Sequence, residues 1–147
     1  MCLRLVLHSQ LSDLKPASNT LHFAYLGATE ALLAKYAFNP FSKMSFVNSA
    51  LEKLNKAVAL NKNDIEIRYM RFSVESNMPA FLGLNKHIDE DKNTIIKQLC
   101  IININRENFE MYQVFANGII KSNFCNNQEK NVLIHIIDVC KQFKQNK

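Results

Sequence analysis

Apolar residues recur at three- and four-residue intervals along almost the whole chain, the spacing of a helix with one buried side. Pro16, the Asn39-Pro40 step and Asn77-Met78-Pro79 are the firm interruptions. Proline stops a helix because it has no N–H and clashes with the preceding turn. Three glycines and three prolines in 147 residues are too few for the tight turns of a many-stranded β fold. The pattern predicts an all-α protein of antiparallel α-hairpins, six or seven helices joined by short turns. A chain of this length buries roughly two-thirds of its unfolded surface. A single α-helical domain over residues 1–147 is therefore expected.

The first predicted helix covers residues 2–14, with Leu3, Leu7, Leu11 and Leu14 on one stripe. The second covers residues 17–37, with Leu21, Ala24, Tyr25, Ala28, Leu32 and Tyr36 at helical spacing. The third, residues 41–60, turns Phe46, Val47, Ala50, Leu51, Leu54, Ala57 and Val58 inward. Asn63 and Glu66 have the spacing of a capping box for a fourth helix over 64–76. Residues 79–84 form an apolar connector expected to tuck into the core. A fifth helix over 87–103 points Ile88, Ile95, Ile96, Leu99 and Ile102 inward. The β-branched run at Ile101–Ile104 could suggest a strand, but a lone strand has no partner, so helix is preferred. Asn105 is the expected cap of a sixth helix over 106–122, carrying Phe109, Tyr112, Phe115 and Ile119. Asn126 and Glu129 form a second capping box, opening a last helix over 127–144. Its expected inner face is Val132, Leu133, Ile136, Val139, Cys140 and Phe143.

With 48% hydrophobic and 21% charged residues, wholesale disorder is excluded. No run approaches the ~20 apolar residues of a membrane span. The formal charge of +5 invites anionic partners. The basic residues are scattered, however, and only Arg4, Arg68, Arg71 and Arg106 carry the planar fork suited to phosphate and base edges. Lys141, Lys144 and Lys147 read as a solvated helix end whose cations suit the dipole. Cys2, Cys100, Cys125 and Cys140 form no C-x-x-C pair and read as reduced, structural thiols. That favours a reducing, cytoplasmic setting. Residues 1–8 make a poor signal peptide, and export is the alternative if the N-terminus is truncated.

Little in the chain has the spacing of a reactive centre. His8, His22, His87 and His135 form no H-x-x-x-H unit, and His87 with Glu90 is an isolated i,i+3 pair. Asp89, Glu90 and Asp91 suit the positive end of a helix better than a metal. There is no Gly-rich phosphate loop and no G-x-S-x-G. Phe109, Tyr112 and Phe115 have core spacing rather than the Arg- and Lys-interleaved pattern of a base-stacking platform, so nucleic acid is not the favoured partner. No catalytic residue, metal or cofactor is expected, and the chain does not read as an enzyme. Glu30, Arg68 and Arg71 stand out instead. Glu30 lies in an apolar helix, and Arg68 and Arg71 share a face at i,i+3. They are candidates for a structural ion pair or, alternatively, for an anchor that grips an anionic ligand.

Phe23-x2-Leu26-Gly27-x2-Glu30, followed by Ala50-x3-Leu54 and Ala57, resembles the tetratricopeptide-repeat pattern. Glu30 stands where that pattern has an aromatic, Lys62 where it has proline, and the gap from Gly27 to Ala50 is longer. Gly27 and Ala50 lack bulk, so two helices can approach closely there, with Phe23 and Leu54 filling the space around them. The order Tyr25-Leu26-Gly27-Ala28, Glu66-Ile67-Arg68-Tyr69-Met70-Arg71-Phe72, Pro79-x-Phe81-Leu82-Gly83 and Asp91-Lys92 is also similar to an uncharacterised bacterial helical family related to such repeats. The resemblance implies right-handed stacking of hairpins and a non-catalytic interaction module that binds a protein or peptide, or self-associates. The alternative is a small basic module binding anionic ligands or nucleic acid through Arg68, Arg71 and the Lys-rich C-terminus.

Overall fold

The computed structural model describes residues 19–145. The described residues are all-helical: six α-helices, one 3₁₀ turn and no strand. The helices are α1 (Thr20–Tyr36), α2 (Pro40–Leu60), α3 (Ile65–Ser76), α4 (Ile88–Ile101), α5 (Phe109–Lys121) and α6 (Asn127–Gln145). The helix expected over residues 2–14 lies outside the described residues. The chain divides between Val74 and Glu75 into two compact units.

In the first unit, Asn19 starts α1 by accepting a hydrogen bond from His22 N at 3.1 Å. Asn39 starts α2 in the same way, with Phe41 N 2.8 Å from its side-chain oxygen and Pro40 in the first turn. Both are the short polar side chains that satisfy orphan N–H groups. The inner face of α2 is as expected: Val47, Ala50, Leu51, Leu54, Ala57 and Val58 are buried, and Phe46 is half-buried.

Of the residues at helical spacing in α1, Ala24 is buried and Leu21 and Ala28 pack against the core. Phe23, Ala24, Leu26, Gly27, Glu30 and Ala34 are buried, while Tyr25, Leu32 and Tyr36 are exposed. This helix is apolar nearly all round, so periodicity alone did not select a side. The small residues selected it, because α2 can come close only along Gly27. A Cβ added there would lie 3.0 Å from the Ala50 carbonyl oxygen and 3.1 Å from Leu54 Cγ. Ile67 and Met70 of α3 complete the core, against Phe23, Leu26, Leu54 and Val58.

The cap of α3 is Asp64 rather than Asn63. Its Oδ1 accepts from Glu66 N at 3.0 Å and Ile67 N at 3.1 Å. A carboxylate both satisfies these donors and complements the helix dipole, which an amide does not. After α3, Ala80–Leu82 forms the 3₁₀ turn, closed by Gly83 in the left-handed region at φ 62°. The connector does not tuck into the core: none of Ala80–Leu82 is buried, and Phe81 is 87% exposed.

In the second unit, α5 and α6 lie antiparallel, since Phe109 at the start of one stacks on Phe143 near the end of the other at 6.2 Å. Phe109, Tyr112, Phe115 and Ile119 face the core as expected, with Ala116 beside them. Asn105 opens a turn by accepting from Glu107 N, and the helix proper begins at Phe109. The Asn126–Glu129 box forms in both directions, at 2.8 and 2.9 Å. On α6, Leu133, Ile136, Ile137 and Cys140 are buried, whereas Val132 is exposed. Helix α4 ends at Ile101 because Ile102 turns extended at ψ 144°. Cys100 and Ile101, near that end, are exposed rather than buried.

Candidate functional site

Glu30, Arg68 and Arg71 are all buried, with 7%, 7% and 4% of their surface exposed. Burial of charge demands partners. Lys53 Nζ stands 2.9 Å from Glu30 Oε2, and also donates to Ser49 Oγ at 2.6 Å. Lys53 was not singled out from sequence. The signal lies in register: Lys53 Cβ packs beside Gly27, and Glu30 is one turn further along α1. Arg68 Nε donates to the Lys62 carbonyl at 2.6 Å, tying α3 to the turn before it. Arg71 donates to Asn55 Oδ1 of α2 at 3.0 Å. Both guanidiniums are thus built into the interior of the first unit. An anionic ligand would have to enter that interior to reach them.

At the edge of the same unit, the Tyr25 hydroxyl donates to Glu66 Oε1. That hydrogen bond, with burial and the Glu66 charge, pushes the phenol up to about 12.

The second unit holds a carboxylate–imidazole pair that sequence reading placed differently. His87 Nδ1 lies 2.7 Å from Oε1 of buried Glu75, and His87 N donates to Glu75 Oε2 at 2.7 Å. A carboxylate only accepts, so Nδ1 carries the proton while Glu75 is ionised. The arrangement orients the imidazole and anchors the start of α4, which has no side-chain cap of its own. Asn85 adds to it, donating to the Glu75 carbonyl at 2.8 Å and the Met78 carbonyl at 3.2 Å.

Lys92 is buried between α4 and α6. Its Nζ lies 3.1 Å from Glu129 and 3.3 Å from Asp89, and donates to the Phe124 carbonyl at 2.8 Å. Burial works against its charge, but Glu129 and Asp89 outweigh burial and raise the pKa. Of the acidic triplet, Asp89 and Glu90 are exposed and Asp91 is fully buried. The described cysteines are free, and burial pushes the Cys125 and Cys140 thiols up, away from reactive thiolate. Among the described residues, no three His, Cys, Asp or Glu side chains group as metal ligands, and no helix is long and apolar enough to cross a membrane.

No family model, curated protein or solved structure matches this chain. Function is therefore read from its own surfaces. The largest unburied apolar feature of α1 is the stripe of Tyr25, Leu32 and Tyr36, exposed by 41%, 47% and 53%. These residues stand at i, i+7 and i+11, one side of a helix.

Proposed function

We propose that the chain is a non-catalytic helical interaction module of tetratricopeptide-like build, which takes an amphipathic helix from a protein or peptide partner, or from a second copy. The observation that carries this reading is the two-sided apolar character of α1. One side is sealed against α2 along Gly27, and the other presents Tyr25, Leu32 and Tyr36 to solvent. A helix that is apolar all round normally has both sides covered. An apolar stripe of this width takes a partner's residues at i, i+4 and i+7, the helix-in-groove mode. The close α1–α2 approach at Gly27 and Ala50 supports the hairpin comparison. The inward placement of Arg68 and Arg71 weighs against an anion-binding module.

Two measurements on the full chain test this. Sedimentation across concentration reads self-association, and selection from a displayed library of helical peptides reads partner binding. The Leu32→Asp/Tyr36→Asp variant serves as counter-target in both. Expected is an association, with a copy or with peptides carrying the i, i+4, i+7 apolar spacing, that the variant loses while its melting temperature holds. It should also persist between about 50 and 200 mM salt, where phosphate-type recognition weakens steeply. A monomer that enriches no peptide over the variant overturns the reading.

A further inference from the structure

The connection between α1 and α2 is a tip of unusual chemistry. Phe38 is 100% exposed and Phe41 86% exposed, with Tyr36 and Met44 partly exposed beside them in the chain. Exposed apolar residues scattered singly need no explanation, but this many within nine residues do. The tip is also well ordered by its own hydrogen bonds. Ala37 N donates to the Ala34 carbonyl, Phe41 N to the Asn39 side chain, and Lys43 N to the Asn39 carbonyl. Both phenylalanines are therefore held outward by capped helix ends. Charge follows the same pattern. From residue 31 to residue 51 the only charged side chains are Lys35 and Lys43, one on each side of the tip and both exposed.

We infer that this tip is a peripheral anchor for an anionic lipid surface, with Phe38 and Phe41 entering the acyl boundary and Lys35 and Lys43 meeting the headgroups. A projecting end of two short-linked helices suits a soft, deformable surface. Aromatic rings flanked by lysines match the two layers of that surface, apolar below and negatively charged above. A carboxylate in this stretch would be repelled by such headgroups, and none is present. Phe38 and Phe41, which enter the surface, lie outside the Tyr25–Leu32–Tyr36 stripe, and the anchor does not depend on that stripe binding a partner.

Co-sedimentation of the full chain with phosphatidylcholine vesicles, with and without about 30% phosphatidylserine, tests the inference. Binding should favour the anionic vesicles by roughly fivefold for each lysine and weaken as salt rises. Phe38→Ala and Phe41→Ala should each lower partitioning at least about tenfold, with no change in melting temperature because neither side chain is buried. The chain has no tryptophan, so Phe38→Trp provides a single indole reporter. Its emission should shift to the blue when anionic vesicles are added. Wild-type protein that ignores these vesicles, an indole that stays in water, or full binding by the double alanine variant would each overturn the anchor. Loss of a protein–protein association in that variant, with no vesicle binding by wild type, would assign the tip to a protein partner instead.

Discussion

Gly27 and Ala50 touch backbone to backbone: a Cβ on Gly27 would stand 3.0 Å from the Ala50 carbonyl oxygen. Alanine at position 27 gains helix propensity of about 1 kcal/mol. The gain is outweighed, because the facing atom is backbone on a packed helix and cannot swing away. Leucine cannot be fitted without separating α1 from α2, at a cost of at least about 1–3 kcal/mol. Thermal and urea unfolding should therefore rank wild type above Gly27→Ala, and Gly27→Ala well above Gly27→Leu. A melting temperature unchanged in Gly27→Leu would refute the contact.

Glu30 and Lys53 should be energetically coupled. Removing the lysine as Lys53→Met leaves a buried carboxylate with one cation fewer. The same change in a Glu30→Gln background leaves no such charge. A double-mutant cycle should give a coupling of about 0.5–3 kcal/mol, the range for neighbours in one network. Zero coupling would mean that the 2.9 Å approach contributes nothing.

Glu75→Ala should destabilise strongly, because both His87 contacts to its carboxylate are lost and α4 starts without an acceptor. About 1–3 kcal/mol is expected for the stranded donors. Asp89→Ala on the exposed side of the same helix should stay within about 0.5 kcal/mol. Equal effects of the two substitutions in urea unfolding would deny Glu75 its anchoring role.

Asn126→Ala removes one half of the reciprocal cap at the start of α6. The expected loss is about 1 kcal/mol, read as a lower denaturation midpoint with an unchanged slope. Asn105→Ala, at a turn before α5, should cost less because the helix proper begins only at Phe109.

Alkaline pH should act through Tyr25. Its folded pKa, about 12, lies above the ordinary 10.0, so the folded chain holds the phenolic proton more tightly than the unfolded one. The stability this supplies is complete below about pH 10 and is lost as pH rises toward 12. Wild type should therefore lose stability more steeply than Tyr25→Phe across that interval. Parallel curves for the two proteins would rule out the Glu66 hydrogen bond as the cause.

The local rules were readable because their causes are local. Asn19, Asn39 and the Asn126–Glu129 box act within one turn of backbone, and the apolar residues in the middle of α2 share one side, so its inner face was plain. Glu30, Arg68 and Arg71 stand out in the sequence as unusual charges, and all three are buried. The contacts they make with Lys53, the Lys62 carbonyl and Asn55 were not foreseen, because each depends on how one helix is rotated against another or against its own turn.

Helix content, helix order and the small-residue approach at Gly27 were determined by the amino-acid order itself, since periodicity, caps and missing side-chain bulk need no distant contact. Tertiary structure alone decided that Tyr25, Leu32 and Tyr36 stay exposed, that Phe81 stays outside, and that His87 meets Glu75 twelve residues away. The physical reason is degeneracy. Where apolar or acidic residues occur on several sides of a helix, hydrophobicity and charge leave the choice open, and the closest backbone approach that sterics allow settles it.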